Sequence, residues 1–306
     1  MIEVLSVTLP IYLIIAAGFA AVRSGYVAAD DVRALGRVVL RVCMPATIFI
    51  AIVRTPVADT LRWDFVLGYL AGSLVVFGTG LAFARLVLKR PRQRAVLEAM
   101  GMSCSNSAFM GYPVAALVVG DAALHAFTMT MMIENIVMMP LAVTIADSVS
   151  GRGALRQTVG GMVKNPLLLA VVAAIVFSLS GLQLPETLGR TLSMLAPVAA
   201  PVALLAVGGA VASLPLSRLE PSLFFIVAGK LIAHPLAVLG CLALIGTLPP
   251  DLLISGVLIA SVPMMSIYAL FGLRWGEETL AASAMIMTTL LSFFSVSFLL
   301  WFIGFS

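Results

Sequence analysis

Charge is scarce in this chain. Asp, Glu, Lys and Arg make up 10% of its 306 residues, against about 25% in an ordinary soluble domain. Too few polar side chains are present to cover a water-soluble globule, which excludes a cytosolic enzyme and a disordered protein. Cysteine is equally sparse. Cys43, Cys104 and Cys241 all lie in apolar stretches, with no CxxC and no metal-ligand spacing, so they read as small buried hydrophobes and not as a disulfide scaffold. Enzyme signatures are missing: there is no HExxH, no GxSxG, no Walker lysine loop and no GxGxxG opening a helix. Ser103 or Ser105 could pair with one of the two histidines, but no third catalytic group accompanies them. Neither catalysis nor a cofactor is expected. The alternating strands of an outer-membrane barrel are absent. The N-terminus has no basic region and no small-residue cleavage site, and Pro10 interrupts its apolar run, so a retained first helix is expected, not a removed leader.

What is abundant is hydrophobicity: 61% of residues are apolar and mean hydropathy is +1.13. Each membrane helix takes about 20 such residues. Ten apolar segments can be marked, near 4–22, 34–53, 64–88, 95–119, 122–146, 164–181, 188–212, 222–246, 251–273 and 279–303. The fold class expected is therefore an all-α polytopic membrane protein with ten transmembrane helices. The net charge of +4 sits in loops between apolar runs, which points to membrane orientation and away from nucleic acid. Lys89-Arg-Pro-Arg-Gln-Arg94 is the strongest basic cluster and is expected in the cytoplasm. Alternation then places both termini outside. Arg152, Arg156, Lys164 and Arg218 fall inside, and Arg54, Arg62 and Arg190 outside. Arg37 and Arg41 continue a stripe from Arg33 and are expected to snorkel to the surface.

The halves resemble each other weakly. Leu9-Pro10 corresponds to Asn165-Pro166, Pro45 to Pro197, and Pro113 to Pro263. Five helices per half is an odd number, so the second copy enters from the opposite side. This is an inverted-topology repeat, with residues 1–150 as the first unit and 151–306 as the second.

Segment four packs polar and helix-breaking residues into mid-membrane depth: Ser103-Cys-Ser-Asn106-Ser-Ala-Phe-Met-Gly111-Tyr112-Pro113. Segment nine carries Ser261-Val-Pro263-Met-Met-Ser266-Ile-Tyr268. A proline removes a backbone donor and clashes with the carbonyl four residues back. Freed backbone groups cannot face lipid, so they line a cavity or pack against protein. Two broken helices in corresponding positions point to a binding site, and a half-helix N-terminus suits an anion. The competing reading is a pair of structural kinks. Candidate binding residues are Ser105, Asn106, Tyr112, Pro113, Asn135, Pro263, Ser266 and Tyr268. Ionisable groups at bilayer depth are costly and so are functional candidates. These are Glu134, and Lys230 with His234 on one face at i, i+4. A structural pairing of Glu134 with Lys230 competes with a proton-relay role.

Together these residues resemble the auxin efflux carrier family, which includes bacterial malonate-type transporters and the plant PIN-formed carriers. The matching pieces are Asn106-x6-Pro113 with Met110-Gly111, Glu134-Asn135 followed by Pro140, Lys164-Asn165-Pro166, Gly208-Gly209 and Lys230-x4-Pro235. The resemblance spans nearly the whole chain. It implies crossing broken helices four and nine, a scaffold of helices 1, 2, 6 and 7, and a transport unit of helices 3–5 and 8–10 moving as an elevator. It implies carriage of a small organic anion, malonate-like, across a bacterial inner membrane, with Asn106 and Asn135 near the carboxylate. A homodimer through the scaffold is also implied. Where Glu134 stands, family members often carry a neutral glutamine; an ionised Glu134 would repel an anion, so either it is protonated or paired, or the coupling here uses a proton. The rival expectations are a sodium-coupled carrier of the bile-acid symporter type, for which only Glu134 and Glu98 could supply carboxylates, and a non-transporting receptor or hydrolase.

Overall fold

The computed structural model describes residues 2–54, 61–146, 164–214, 220–245 and 248–302. The expected loop from Asp147 to Lys164, with Arg152, Arg156 and the boundary between the proposed repeats, lies outside the described residues up to its last position; so does Arg218. Among the described residues the chain is all helical. The helices are α1 (Ile2–Arg23), α2 (29–54), α3 (Trp63–Val87), α4 (Arg92–Ser103), α5 (107–119), α6 (Ala122–Ala146), α7 (Pro166–Leu179), α8 (Glu186–Ala212), α9 (Pro221–Ile245), α10 (Pro250–Ser261), α11 (Tyr268–Arg274) and α12 (Glu278–Phe302).

Six runs are long and apolar enough to cross a membrane: α3, α4 with α5 taken together, α6, α8, α9 and α12. Leu9–Arg23, α7 and α10 are apolar but shorter. The outside of the molecule is apolar as well, with Leu179, Leu244 and Phe298 among the large side chains left uncovered. An exterior of this kind needs lipid against it. The protein is an integral membrane protein on these grounds. α2 begins at Ala29, ahead of the expected apolar edge at 34. Its first turn carries Asp30 and Asp31, which hydropathy discounts but which a helix N-terminus favours, and Arg33 pairs with Asp30 (2.6 Å).

Prolines explain most irregularities. A helix interior cannot supply an N–H at proline, and the ring presses on the carbonyl at i−4. Wide π-turns absorb this at Val39–Cys43 before Pro45, Ser107–Gly111 before Pro113, Ile133–Met138 before Pro140, and Gly229–Ala233 before Pro235. In each case the clashing carbonyl (of Arg41, Phe109, Ile136 and Leu231) falls inside the widened turn. Pro197 sits instead in a 3-10 turn, Ala196–Val198.

Packing is close because it is glycine-mediated, as lipid provides no hydrophobic drive between helices. α1 lies on α8: a Cβ at Gly208 would come 1.9 Å from the Ile15 carbonyl oxygen, and one at Gly18 would come 2.1 Å from that of Leu205. α3 lies on α9 through Gly72, where a Cβ would be 2.7 Å from the Val238 Cα. α2 packs on α7. At one end of α4, Arg94 gathers Glu98 (3.3 Å), Glu277 (3.3 Å) and Glu220 from three parts of the chain.

Candidate functional site

The helical run from 92 to 119 is interrupted at Cys104–Asn106, and the run from 250 to 274 at 262–267. The second interruption falls where proline and serine spacing places it. The first, at Cys104–Asn106, lies upstream of Pro113, because the π-turn handles that proline and leaves Tyr112–Val119 regular. The two interruptions are stitched together. The Asn106 N–H donates to the Pro263 carbonyl oxygen (2.8 Å), and Asn106 Nδ2 donates to Ser266 Oγ (3.1 Å). The Asn106 carbonyl accepts from the N–H groups of Met110 (3.0 Å) and Gly111 (2.9 Å), opening α5. Backbone freed by one break is thus partly satisfied by the other, as burial at membrane depth demands.

Charges sit at the ends of the broken helices. Glu134, in the π-turn of α6, accepts at Oε1 from the Ser105 N–H (2.7 Å) and at Oε2 from Ser107 Oγ (2.7 Å). This places a carboxylate at the positive, N-terminal end of α5. Lys230, in the π-turn of α9, donates from Nζ to Ser105 Oγ (2.6 Å) and to the Ala260 carbonyl oxygen (2.9 Å). This places an ammonium at the negative, C-terminal end of α10. His234 Nδ1 lies 2.8 Å from Lys230 Nζ, and its Nε2 lies 3.0 Å from Ser73 Oγ. Glu134 and Lys230 therefore share Ser105 instead of touching each other. Removing an ion from water costs several kcal/mol even after relaxation, and this arrangement offsets each charge with a helix end, with hydrogen bonds and with the opposite charge one serine away.

A cavity of about 380 Å³ opens beside the crossing. Its walls include Ser105, Asn106, Ser107 and Phe109 from the first break, Glu134 and Asn135 from α6, Met265 and Ser266 from the second break, and Lys164 and Asn165 leading into α7. Asn165 caps α7, its Oδ1 accepting from the Leu167 N–H (2.9 Å), with Pro166 at the first helical position. Asn165 Nδ2 donates to Asn135 Oδ1 (3.1 Å), and Asn135 Nδ2 donates to the Met131 carbonyl oxygen (2.8 Å). The first-turn N–H groups of α5 have no intrahelical partner. Two helix N-termini, α5 and α7, thus meet at one cavity beside the exposed Lys164.

Of the residues singled out from sequence, Ser105, Asn106, Glu134, Asn135 and Ser266 line the cavity. Pro263 contributes through its carbonyl. Lys230 and His234 stand behind Ser105, fully buried. Pro113 is buried in α5, and Tyr112 lays its ring on Phe127 (5.5 Å). Tyr268 is buried against Gly101, with no hydrogen-bond partner for its hydroxyl. Those last three are not brought to the cavity wall. Lys164, Asn165 and Ser107 are brought there without having been picked as binding residues. For Asn165 the signal is visible in the sequence: Asn-Pro is a cap followed by a first-turn proline, which fixes a helix start at this point. Among the described residues no three His, Cys, Asp or Glu side chains gather as a metal site.

The family model described as "Membrane transport protein" matches residues 4–159 and 150–300. The chain belongs to this family, the auxin efflux carriers. This transporter chain is 28% identical over 309 residues to the "Putative malonate transporter" of Rhizobium meliloti (strain 1021), covering 99% of itself and 97% of that relative. It is 26% identical over 302 residues to the "Uncharacterized transporter YfdV" of Escherichia coli (strain K12), covering 90% and 92%. Family membership accounts for the apolar helices and implies a small-molecule substrate.

Proposed function

We propose that the protein is a secondary transporter for a small organic anion, a malonate-like mono- or dicarboxylate. The supporting observation is the convergence of the α5 and α7 N-termini, Lys164 and three asparagine side chains on one cavity. Unpartnered N–H groups and the positive end of a helix favour a carboxylate. Asn106, Asn135, Asn165 and Ser266 would orient it, and Lys164 would draw it in. Glu134 in the same wall would repel an anion unless it takes up a proton, so the cargo and a proton travel together. The name carried by the Rhizobium relative agrees with this substrate class.

The mechanism we propose is alternating access by an elevator. Segments 3–5 and 8–10, here α3–α6 and α9–α12, would slide against a scaffold of α1, α2, α7 and α8, as a five-plus-five inverted repeat. The charge bias supports an orientation with both termini outside an inner membrane and Lys164 at the cytoplasmic side. A dimer would form through the scaffold.

Counterflow in proteoliposomes, with a panel of labelled organic acids at two pH values, tests the substrate class. Asn106→Ala should abolish binding and flux, leaving a protein that is still extracted and monodisperse. Undiminished uptake of every transported acid by that variant would remove Asn106 from the site.

A further inference from the structure

Lys230 ends at a point where three neutral acceptors meet. Its Nζ is 2.6 Å from Ser105 Oγ, 2.9 Å from the Ala260 carbonyl oxygen and 2.8 Å from His234 Nδ1. An ammonium has three N–H donors and no acceptor, so these contacts use it completely. They also assign the imidazole: Nδ1 accepts from Lys230 and Nε2–H donates to Ser73 Oγ. With Nδ1 an acceptor, its 3.2 Å approach to the Ala260 oxygen is a shared orientation toward the ammonium and not a bond. Lys230 and His234 are 0% exposed, and Ser73 and Ser105 are 1% exposed. Ala260 lies in the last turn of α10, where carbonyls lack intrahelical partners and carry the negative end of the helix dipole. Glu134 meets Ser105 through its amide, so no carboxylate belongs to the acceptor set.

These are the features of a cation site: buried neutral acceptors, fixed before any ion arrives, at a helix C-terminus inside the membrane. We propose that the crossover contains a monovalent-cation site that the Lys230 ammonium fills, as a tethered substitute for a free ion. The native protein then needs no sodium or potassium at the crossing. A serine oxygen, a carbonyl and an imidazole nitrogen suit N–H donors better than an alkali ion, which prefers oxygen. Emptied of its lysine, the site should accept a small ammonium ion. Nothing in this inference depends on which cargo occupies the cavity, and its test reads stability, so its failure and that of the transport assignment are separately visible.

The test is Lys230→Ala, prepared full-length in detergent and heated in methylammonium chloride or in choline chloride of equal ionic strength. Binding to the folded state alone raises the unfolding midpoint. The expected result is a Tm about 3 °C or more higher in methylammonium for Lys230→Ala, with no difference for the native protein or for Lys230→Met, whose side chain refills the space without donors. Equal shifts in all three proteins, or none in Lys230→Ala, would overturn the proposal. A Lys230→Ala protein that aggregates even when purified in methylammonium also counts against it. The native protein gives an independent arm: a Tm raised by sodium over choline would mean the crossing still takes a free cation, and the proposal would fail.

Discussion

Glu134 carries the sharpest conflict of any side chain here. It shares the cavity wall with Lys164 and Asn106, yet its charge opposes that of a carboxylate cargo. Both of its oxygens accept hydrogen bonds from the first break, so a proton gained there would also loosen the joint between α6 and the start of α5. If the cargo enters with that proton, uptake should fall as pH rises. Glu134→Gln should then transport with a flat pH profile, measured as proteoliposome uptake across several pH values. A profile matching the native one discards the relay. Glu98, the other carboxylate that the sequence offered to a sodium-coupled reading, has a different setting. It is fully buried and paired with Arg94 (3.3 Å) and Arg90 (3.7 Å), in the cluster that Glu220 and Glu277 complete. Outside the spanning segments, burial pushes the Glu277 carboxyl above its ordinary range; Arg94 pulls it down, and Glu220 and Glu98 push it up again. A raised folded value means that its protonated form favours the fold, so its contribution is largest at low pH and fades as pH rises through that value.

At the scale of the element, composition and proline position made a good deal legible. The apolar segments locate the helices because a bilayer accepts little else. Pro113 and Pro263 mark the interrupted segments, although only Pro263 lies within a break and Pro113 sits inside α5 behind its π-turn. What could not be read was how each proline is accommodated. Pro45, Pro113, Pro140 and Pro235 each follow a π-turn, whereas the non-helical backbone at Cys104–Asn106 depends on a hydrogen bond to Pro263, more than 150 residues away. No local pattern encodes that partner. Helix contacts were equally hidden: Gly208-Gly209 is conspicuous in the sequence, but only packing reveals Gly208 against the Ile15 carbonyl. A Cβ there would collide with backbone, which has no rotamer by which to yield. Gly208→Val should therefore part α1 from α8, at a cost of about 3 kcal/mol or more, and show as a lowered Tm or a loss of monodisperse protein. A Tm equal to the native value would mean that the two helices separate freely.

Across the whole molecule, the cavity lies where residues from both halves of the sequence meet, and this explains why its polar wall was only half anticipated. Asn106 and Glu134 stand out because polar groups at membrane depth are rare. Lys164 and Asn165 sit at a segment edge, where polar residues are ordinary, and only tertiary structure brings them to the cavity. The Asn165–Asn135 hydrogen bond (3.1 Å) joins the proposed scaffold to the proposed moving unit, so an elevator must break it on every cycle. Because both asparagines also line the proposed site, the comparison is within the Asn135→Cys, Asn165→Cys double variant: oxidation should halt the flux its reduced form retains, and a cross-linked protein transporting as fast as its reduced form would argue against relative sliding. The widened turns have one more consequence. Each carries about one residue more than a regular turn, which shifts the azimuth of everything beyond it by roughly 100°. A wheel projection drawn straight through α6 or α9 therefore assigns the far half of the helix to the wrong neighbours, because the arcs turned to lipid and to protein rotate by a little over a quarter turn at Glu134 and at Lys230.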